Sequence, residues 1–219
     1  MKTPRPSRAW PTPPLTPAPS LPPLAGREDV DTSWRPLRQA WRTRPSPQFQ
    51  PAWARVRWHA SGLLFDVLLV GAAPANRAAA LNQPTWELGD VCEIFLRVDD
   101  QPQYFELHVT PENQRLQLRW PAGGIARVRS GAARLEEFAV PQPDWVHSAT
   151  RVAAGAWSAQ VLFPAQSFGV DSLTPAHSIH TAVCRYDYHG RPLPVLSSTA
   201  PFRAPSFHRP LDWDRLVLQ

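Results

Sequence analysis

The segment Trp86-Glu-Leu-Gly-Asp-Val-Cys-Glu-Ile-Phe-Leu-Arg-Val98, followed closely by Tyr104-Phe-Glu-Leu-His-Val-Thr-Pro111, decides how the chain is read. Residues 91–98 are β-branched and aromatic residues interleaved with a few polar ones. Residues 104–109 alternate in the same way, and Pro111 stops the run. The pattern predicts two strands joined by the polar loop Asp99-Asp100-Gln101-Pro102-Gln103. Charge inside apolar strands is the unusual feature: Glu93 in the first, Glu106 and His108 in the second. Side chains alternate faces along a strand, so Glu106 and His108 share one. Whether Glu93 joins them depends on the hairpin register, which the loop leaves open. A carboxylate on an apolar sheet costs free energy unless it is paired or faces a wet cleft. The solvated face of a half-buried sheet would serve these residues equally well.

Further strands are expected on both sides. Ala54–Trp58 and Leu63–Val70 form a hairpin through His59–Gly62, and Pro36 confines residues 33–42 to an edge strand. Strands are expected at 115–120, at 146–153 and 156–163 around Gly155, at 180–188 and at 212–218. Residues 71–84 read as a loop with one helical turn near 76–81, delivering Trp86 as either a ligand platform or a plug for the sheet end. Residues 125–140 suggest another strand pair, 164–169 a turn with a short helical piece, and the Pro-, Ser- and Thr-rich 189–210 a loop. Trp34 and Trp41 are expected on the sandwich, Trp53 and Trp58 in its core or rim. Strand spacing and turn content predict an all-β, jelly-roll-like β-sandwich over residues 30–219. It follows a disordered Pro-rich tail, 1–29, whose first 26 residues hold nine Pro.

Charge is unevenly spread. Residues 1–59 carry ten basic and three acidic residues, residues 60–219 thirteen and fifteen, so the basic character belongs to the front of the chain. Its Arg residues are scattered among Pro and Trp, which points away from a nucleic-acid surface. Cys92 and Cys184 lie in no metal or redox spacing and read as buried thiols, with a disulfide left open. No apolar run reaches 18 residues and Pro interrupts the N-terminus, so no membrane partner and a cytoplasmic location are expected. No phosphate loop, dinucleotide fingerprint or Gly-x-Ser-x-Gly is present.

The residue types suit sugar binding. Trp86 can stack on the apolar C–H face of a sugar, and Glu93, Glu106, His108 and Arg185 can exchange hydrogen bonds with its hydroxyls. Paired acids also raise glycoside hydrolysis, for which their separation is decisive. The initiator is the one Met, which argues against haem with His/Met axial ligands and leaves only a two-His site for haem.

The hairpin resembles that of family 9 carbohydrate-binding modules and their DOMON-like relatives. Further matches in order are Trp157-Ser-Ala-Gln-Val-Leu-Phe-Pro164, Val183-Cys-Arg-Tyr186 and Ser206-Phe-His-Arg-Pro-Leu-Asp-Trp-Asp-Arg-Leu-Val-Leu218. The resemblance implies a β-sandwich that binds a mono- or oligosaccharide at one end without catalysis, often with structural calcium. It puts Trp86 at the first of two clamping Trp and Glu93 at the acidic contact, while Glu106 and His108 replace Arg and Asn. The second Trp has no counterpart in Leu196-Ser-Ser-Thr-Ala-Pro201, and Trp213 reads as structural. An interaction domain that kept the fold and lost the sugar site is the alternative.

Overall fold

The computed structural model describes residues 34–99 and 101–218. The Pro-rich tail expected at 1–29 lies outside them. In chain order the strands are β1 Arg35–Pro36, β2 Ala52–His59, β3 Gly62–Val70, β4 Val91–Val98, β5 Tyr104–Val109, β6 Arg115–Trp120, β7 His147–Ala153, β8 Ala156–Pro164, β9 Ser178–Asp187, β10 Val195–Ser198 and β11 Asp214–Val217. They form two antiparallel sheets packed as a sandwich, with orders β1-β2-β3-β8-β7 and β10-β9-β4-β5-β6. Strands β10 and β11 share the outer edge of β9, pairing with its C-terminal and N-terminal halves.

The period-two pattern of β4 and β5 gives the second sheet two buried faces. Inward, Ile94, Leu96, Phe105 and Leu107 meet Phe65, Trp157, Val161 and Phe163 of the first sheet. Outward, Phe95, Tyr104, Leu118 and Trp120 form a second cluster with Phe202, Phe207 and Trp213. Trp213 is structural: its ring centroid is 5.5 Å from Phe95 and 5.4 Å from Tyr104, and its indole N–H donates to the Phe207 carbonyl. Cys92 faces the inner core and Cys184, opposite Glu93, the outer cluster, so the two buried thiols are free.

Three expectations are corrected. Residues 125–140 are not a strand pair but helix α2, Gly124–Arg129, and a 3-10 turn, Leu135–Phe138. Ile125 and Val128 stand three apart on a helix, and with Leu135 they pack on the outer cluster. No helical turn forms at 76–81; the single turn comes later, as α1, Thr85–Leu88, and carries Trp86. Loop 189–210 contains β10, whose alternation is hidden between Pro194 and the Ser-rich stretch that follows. No helix among the described residues is long and apolar enough to cross a membrane.

Candidate functional site

The hairpin register that the sequence left open puts Glu93 directly opposite His108. Glu106 follows two residues before His108 on the same outer face, opposite Phe95. All three are buried, with relative exposures of 3%, 4% and 1%. The imidazole joins the acids. His108 Nε2 lies 2.7 Å from Glu106 Oε1 and 3.2 Å from Glu93 Oε1. Its Nδ1 is 2.8 Å from the Thr85 hydroxyl. Trp120 donates its indole N–H to Glu106 Oε2 at 2.6 Å. His208 stands 3.8 Å from that oxygen and shares a 2.9 Å hydrogen bond with Tyr104.

Helix α1 brings Thr85 and Trp86 to this network. The Trp86 ring meets His108 edge to face, at 5.7 Å and 80°, and is only half-buried. Asn76 donates to the carbonyls of Thr85 and Asp90, at 2.8 and 3.1 Å, and Tyr188 donates its hydroxyl to the Trp86 carbonyl. Gly89, with φ 146°, lets the backbone pass Ala75; a Cβ there would come within 2.2 Å of the Ala75 carbonyl oxygen. Asp90 then accepts from the backbone N–H groups of Ala75 and Tyr188. The Gly-Asp pair of the hairpin motif is therefore a hinge clamp for the loop that presents Trp86.

Burial pushes the Glu93 carboxyl up to about 8, with neighbouring Glu106 adding to the rise and His108 opposing it. For Glu106, burial also favours the neutral acid, but His208, His108 and the Trp120 N–H outweigh it and hold the group low. Burial opposes charge on His108, yet the two acids raise it above the ordinary range. These directions favour an imidazolium–carboxylate pair beside a protonated acid, a formally neutral arrangement suited to so deep a site.

No family model and no curated protein matches the sequence. Solved structures do match. A candidate carbohydrate-binding protein from Bacteroides uniformis aligns over 84% of this chain and 85% of its own, at 16% identity and a TM-score of 0.65. A family 9 carbohydrate-binding module from Caldicellulosiruptor kristjanssonii, solved with glucose, aligns over 89% and 92%, at 9% identity and a TM-score of 0.59. A module of the same family and organism, solved with cellotriose, aligns over 80% of each chain, at 11% identity and a TM-score of 0.52. The fold is that of a family 9 carbohydrate-binding module.

Within the family 9 fold, four of the five expected site residues converge: Trp86, Glu93, Glu106 and His108. Arg185 does not join them. It pairs with Cys92 across β4 and β9 and so points to the opposite face, 1% exposed. There its Nη2 lies 3.4 Å from Asp187 and close under Gly71, where a Cβ would sit 3.0 Å away. The neighbouring strand position, Tyr186, supplies the outer face instead. It is half-buried, and the adjacent Glu93 carboxylate is the main cause of its raised phenol pKa. Thr85, Trp120, Tyr186 and His208 were not picked out by sequence reasoning; the period-two spacing of Leu118 and Trp120 was the available signal for one of them.

The resemblance also implied calcium. Among the described residues, Glu93, Glu106 and His108 form a group of potential metal-ligating atoms within 4.8 Å of one another. One of the three donors is an imidazole nitrogen, and it already contacts both carboxylates in a buried site. Calcium takes six to eight oxygen ligands, so this cluster does not fit it.

Proposed function

We propose that this module binds carbohydrate, without catalysis, on the outer face of the second sheet. The observation that carries the reading is the convergence of Glu93, Glu106 and His108 beneath the half-exposed ring of Trp86. Trp86 offers an apolar platform for a sugar C–H face. Tyr186 and His208, both half-buried, offer the second wall that a clamping Trp provides in the family pattern. The floor holds donors and acceptors of both kinds, and its near-neutral charge suits an uncharged ligand. The neighbours solved with glucose and cellotriose support the same ligand class.

Glycoside hydrolysis is not favoured. A glycosidic bond must lie between its two acids. Here the His108 imidazole fills that space, touching both carboxylates with one nitrogen. The depth of the acids favours one rival, a protein-interaction module that keeps the fold and has no sugar site.

Titration of the full chain with a panel of mono- and oligosaccharides, followed by tryptophan fluorescence, separates the two. Saturable binding that weakens at least about tenfold in Trp86→Ala, with unchanged unfolding cooperativity, supports the sugar site. A folded protein that answers no sugar, or a Trp86→Ala variant that binds as wild type, removes it.

A further inference from the structure

The outward face of the first sheet lies on the side of the sandwich opposite the acidic cluster. Pairing register fixes what stands on it. Across β2 and β3, Arg55 opposes Asp66, Arg57 opposes Leu64 and Trp53 opposes Leu68. On the other flank Leu64 opposes Leu162 of β8, while Arg151 of β7 opposes Ser158, itself opposite Leu68. Leu64, Leu68 and Leu162 are all buried, yet none belongs to either core cluster of the described residues. The face is also positive. Arg55 and Arg57 meet the same Asp66 oxygen, at 2.9 and 3.0 Å, and Arg151 adds a third guanidinium at the β7 edge.

The chain enters on this face. Trp34, the first of the described residues, lies against Arg55, whose guanidinium carbon is 4.8 Å from the ring centroid. Strand β1 follows at the sheet edge. Immediately before Trp34 comes Glu28-Asp29-Val30-Asp31-Thr32-Ser33, which holds all three acidic residues of the first 59. We propose that this segment is a strap that docks across the outward face of the first sheet. Its acids meet Arg57 and Arg151, and Val30 covers the leucines between them.

Length and spacing carry the assignment. From β1 to β7 there are four strand spacings, ~19 Å in all. Six extended residues span ~20 Å, enough to cross the sheet. Asp31, three residues before Trp34, reaches ~10 Å from it and comes over β3 beside Arg57. Val30 follows over Leu64, Leu68 and Leu162, and Glu28 and Asp29 arrive at β7 and Arg151. The order acid, valine, acid along the segment thus matches the order guanidinium, leucine, guanidinium across the sheet. A polyanion would meet the guanidinium groups but offers nothing to the leucines. The tethered segment also has the advantage of a high effective concentration.

The test is amide hydrogen exchange of the full chain, read by mass spectrometry on the peptide covering residues 28–33. In wild type these amides are expected to exchange at least about tenfold more slowly than in the same segment as a free peptide. Arg151→Glu, at an exposed position, is expected to return them most of the way to the free rate while leaving the unfolding midpoint in place. Adding Glu28→Arg and Asp29→Arg to that variant reverses both partners and is expected to restore the protection. Free-peptide rates in wild type, or protection unmoved by Arg151→Glu, overturn the strap. Protection that falls on dilution assigns the face to a second copy of the chain and overturns it as well. Sugar affinity is expected to be the same in all these variants, because the acidic cluster lies on the other sheet.

Discussion

Two buried charged clusters lie on opposite faces of the second sheet, the outer one on β4 and β5 and the inner one on β9, and they are satisfied to different degrees. On the outer face, His108 hydrogen-bonds to Glu106 and Thr85, Trp120 donates to Glu106, and Glu93 lies 3.2 Å from His108; the charges balance once Glu93 keeps its proton. On the inner face, Arg185 and Asp187 are held only at 3.4 Å. Arg185 Nε and Nη1 and both Asp187 carboxylate oxygens have no hydrogen-bond partner among the described residues. Burial lowers the Arg185 pKa and raises that of Asp187, the expected signs for charges taken out of water with incomplete compensation. The outer cluster sits under half-exposed aromatic groups, while the inner one is sealed beneath Gly71. The two clusters thus differ in how far their charges are compensated and in whether half-buried aromatic groups cover them.

The largest expected effect breaks the inner pair. Arg185→Met leaves the Asp187 carboxylate buried with Arg191 alone, 3.6 Å away, and should cost about 3 kcal/mol of unfolding free energy. Adding Asp187→Leu should recover most of that loss, because a well-packed apolar pair is often as stable as a buried ion pair. Denaturant unfolding of the single and double variants measures both. Sugar affinity per folded molecule should change in neither. If Arg185→Met cuts affinity as Trp86→Ala does, the two clusters are coupled across the sheet and the distinction fails.

The same contrast shows what the amino-acid sequence makes legible. The hairpin 91–109 declares itself because apolar alternation and Pro111 are local signals, and the shared face of Glu106 and His108 follows from their spacing. Register is not local. Glu93 could be placed opposite His108 only by the pairing itself, and Arg185 could be assigned a face only through its pairing with Cys92. Alternation says that Arg185 and Tyr186 face opposite ways but not which of them meets the acids. Residues 124–138 escaped because their turns are short and held by packing of Ile125, Val128 and Phe138 on the outer cluster. Trp86 could be read as platform or plug but not placed, because its one-turn helix depends on contacts that the fold makes with Asn76 and Tyr188.

A smaller effect, read as a slope, sharpens the charge assignment of the outer cluster. The folded-state pKa of Glu93 is raised from 4.5 to about 8, so between these limits the native state holds a proton that the unfolded chain has released. Stability from this group is complete below pH ~4.5 and is lost as pH rises toward ~8. His108, also raised, acts in the same direction above its unfolded value. Glu106, lowered, acts oppositely: its contribution is present above its unfolded value and is lost as the solution becomes more acidic. Unfolding free energy should therefore decline from pH 5 to pH 8, with Glu93 contributing at most about 1.4 kcal/mol per pH unit. Glu93→Gln, which keeps the shape and remains neutral, should flatten the decline and leave the variant more stable than wild type at pH 9. Equal slopes in the two proteins would mean that Glu93 is ionised in the folded state and that the cluster is not charge-balanced as described.

The smallest effect concerns the rim. Tyr188 donates its hydroxyl to the Trp86 carbonyl, tying the chain beyond β9 to the turn that carries the proposed platform. Tyr188→Phe removes that donor and keeps the ring. A single neutral hydrogen bond contributes about 1 kcal/mol, and the half-exposed position lets water replace part of it. Unfolding free energy should fall by about 0.5–1 kcal/mol, and sugar affinity by two- to threefold because the platform is less firmly held. The loss should be well below that of Trp86→Ala, since the stacking ring itself remains. Equal losses in the two variants would mean that the orientation of Trp86, rather than its apolar face, carries the affinity. No change in either property would mean that α1 is held by Asn76 and by packing against His108 alone, and that the rim owes its shape entirely to the satisfied network beneath it.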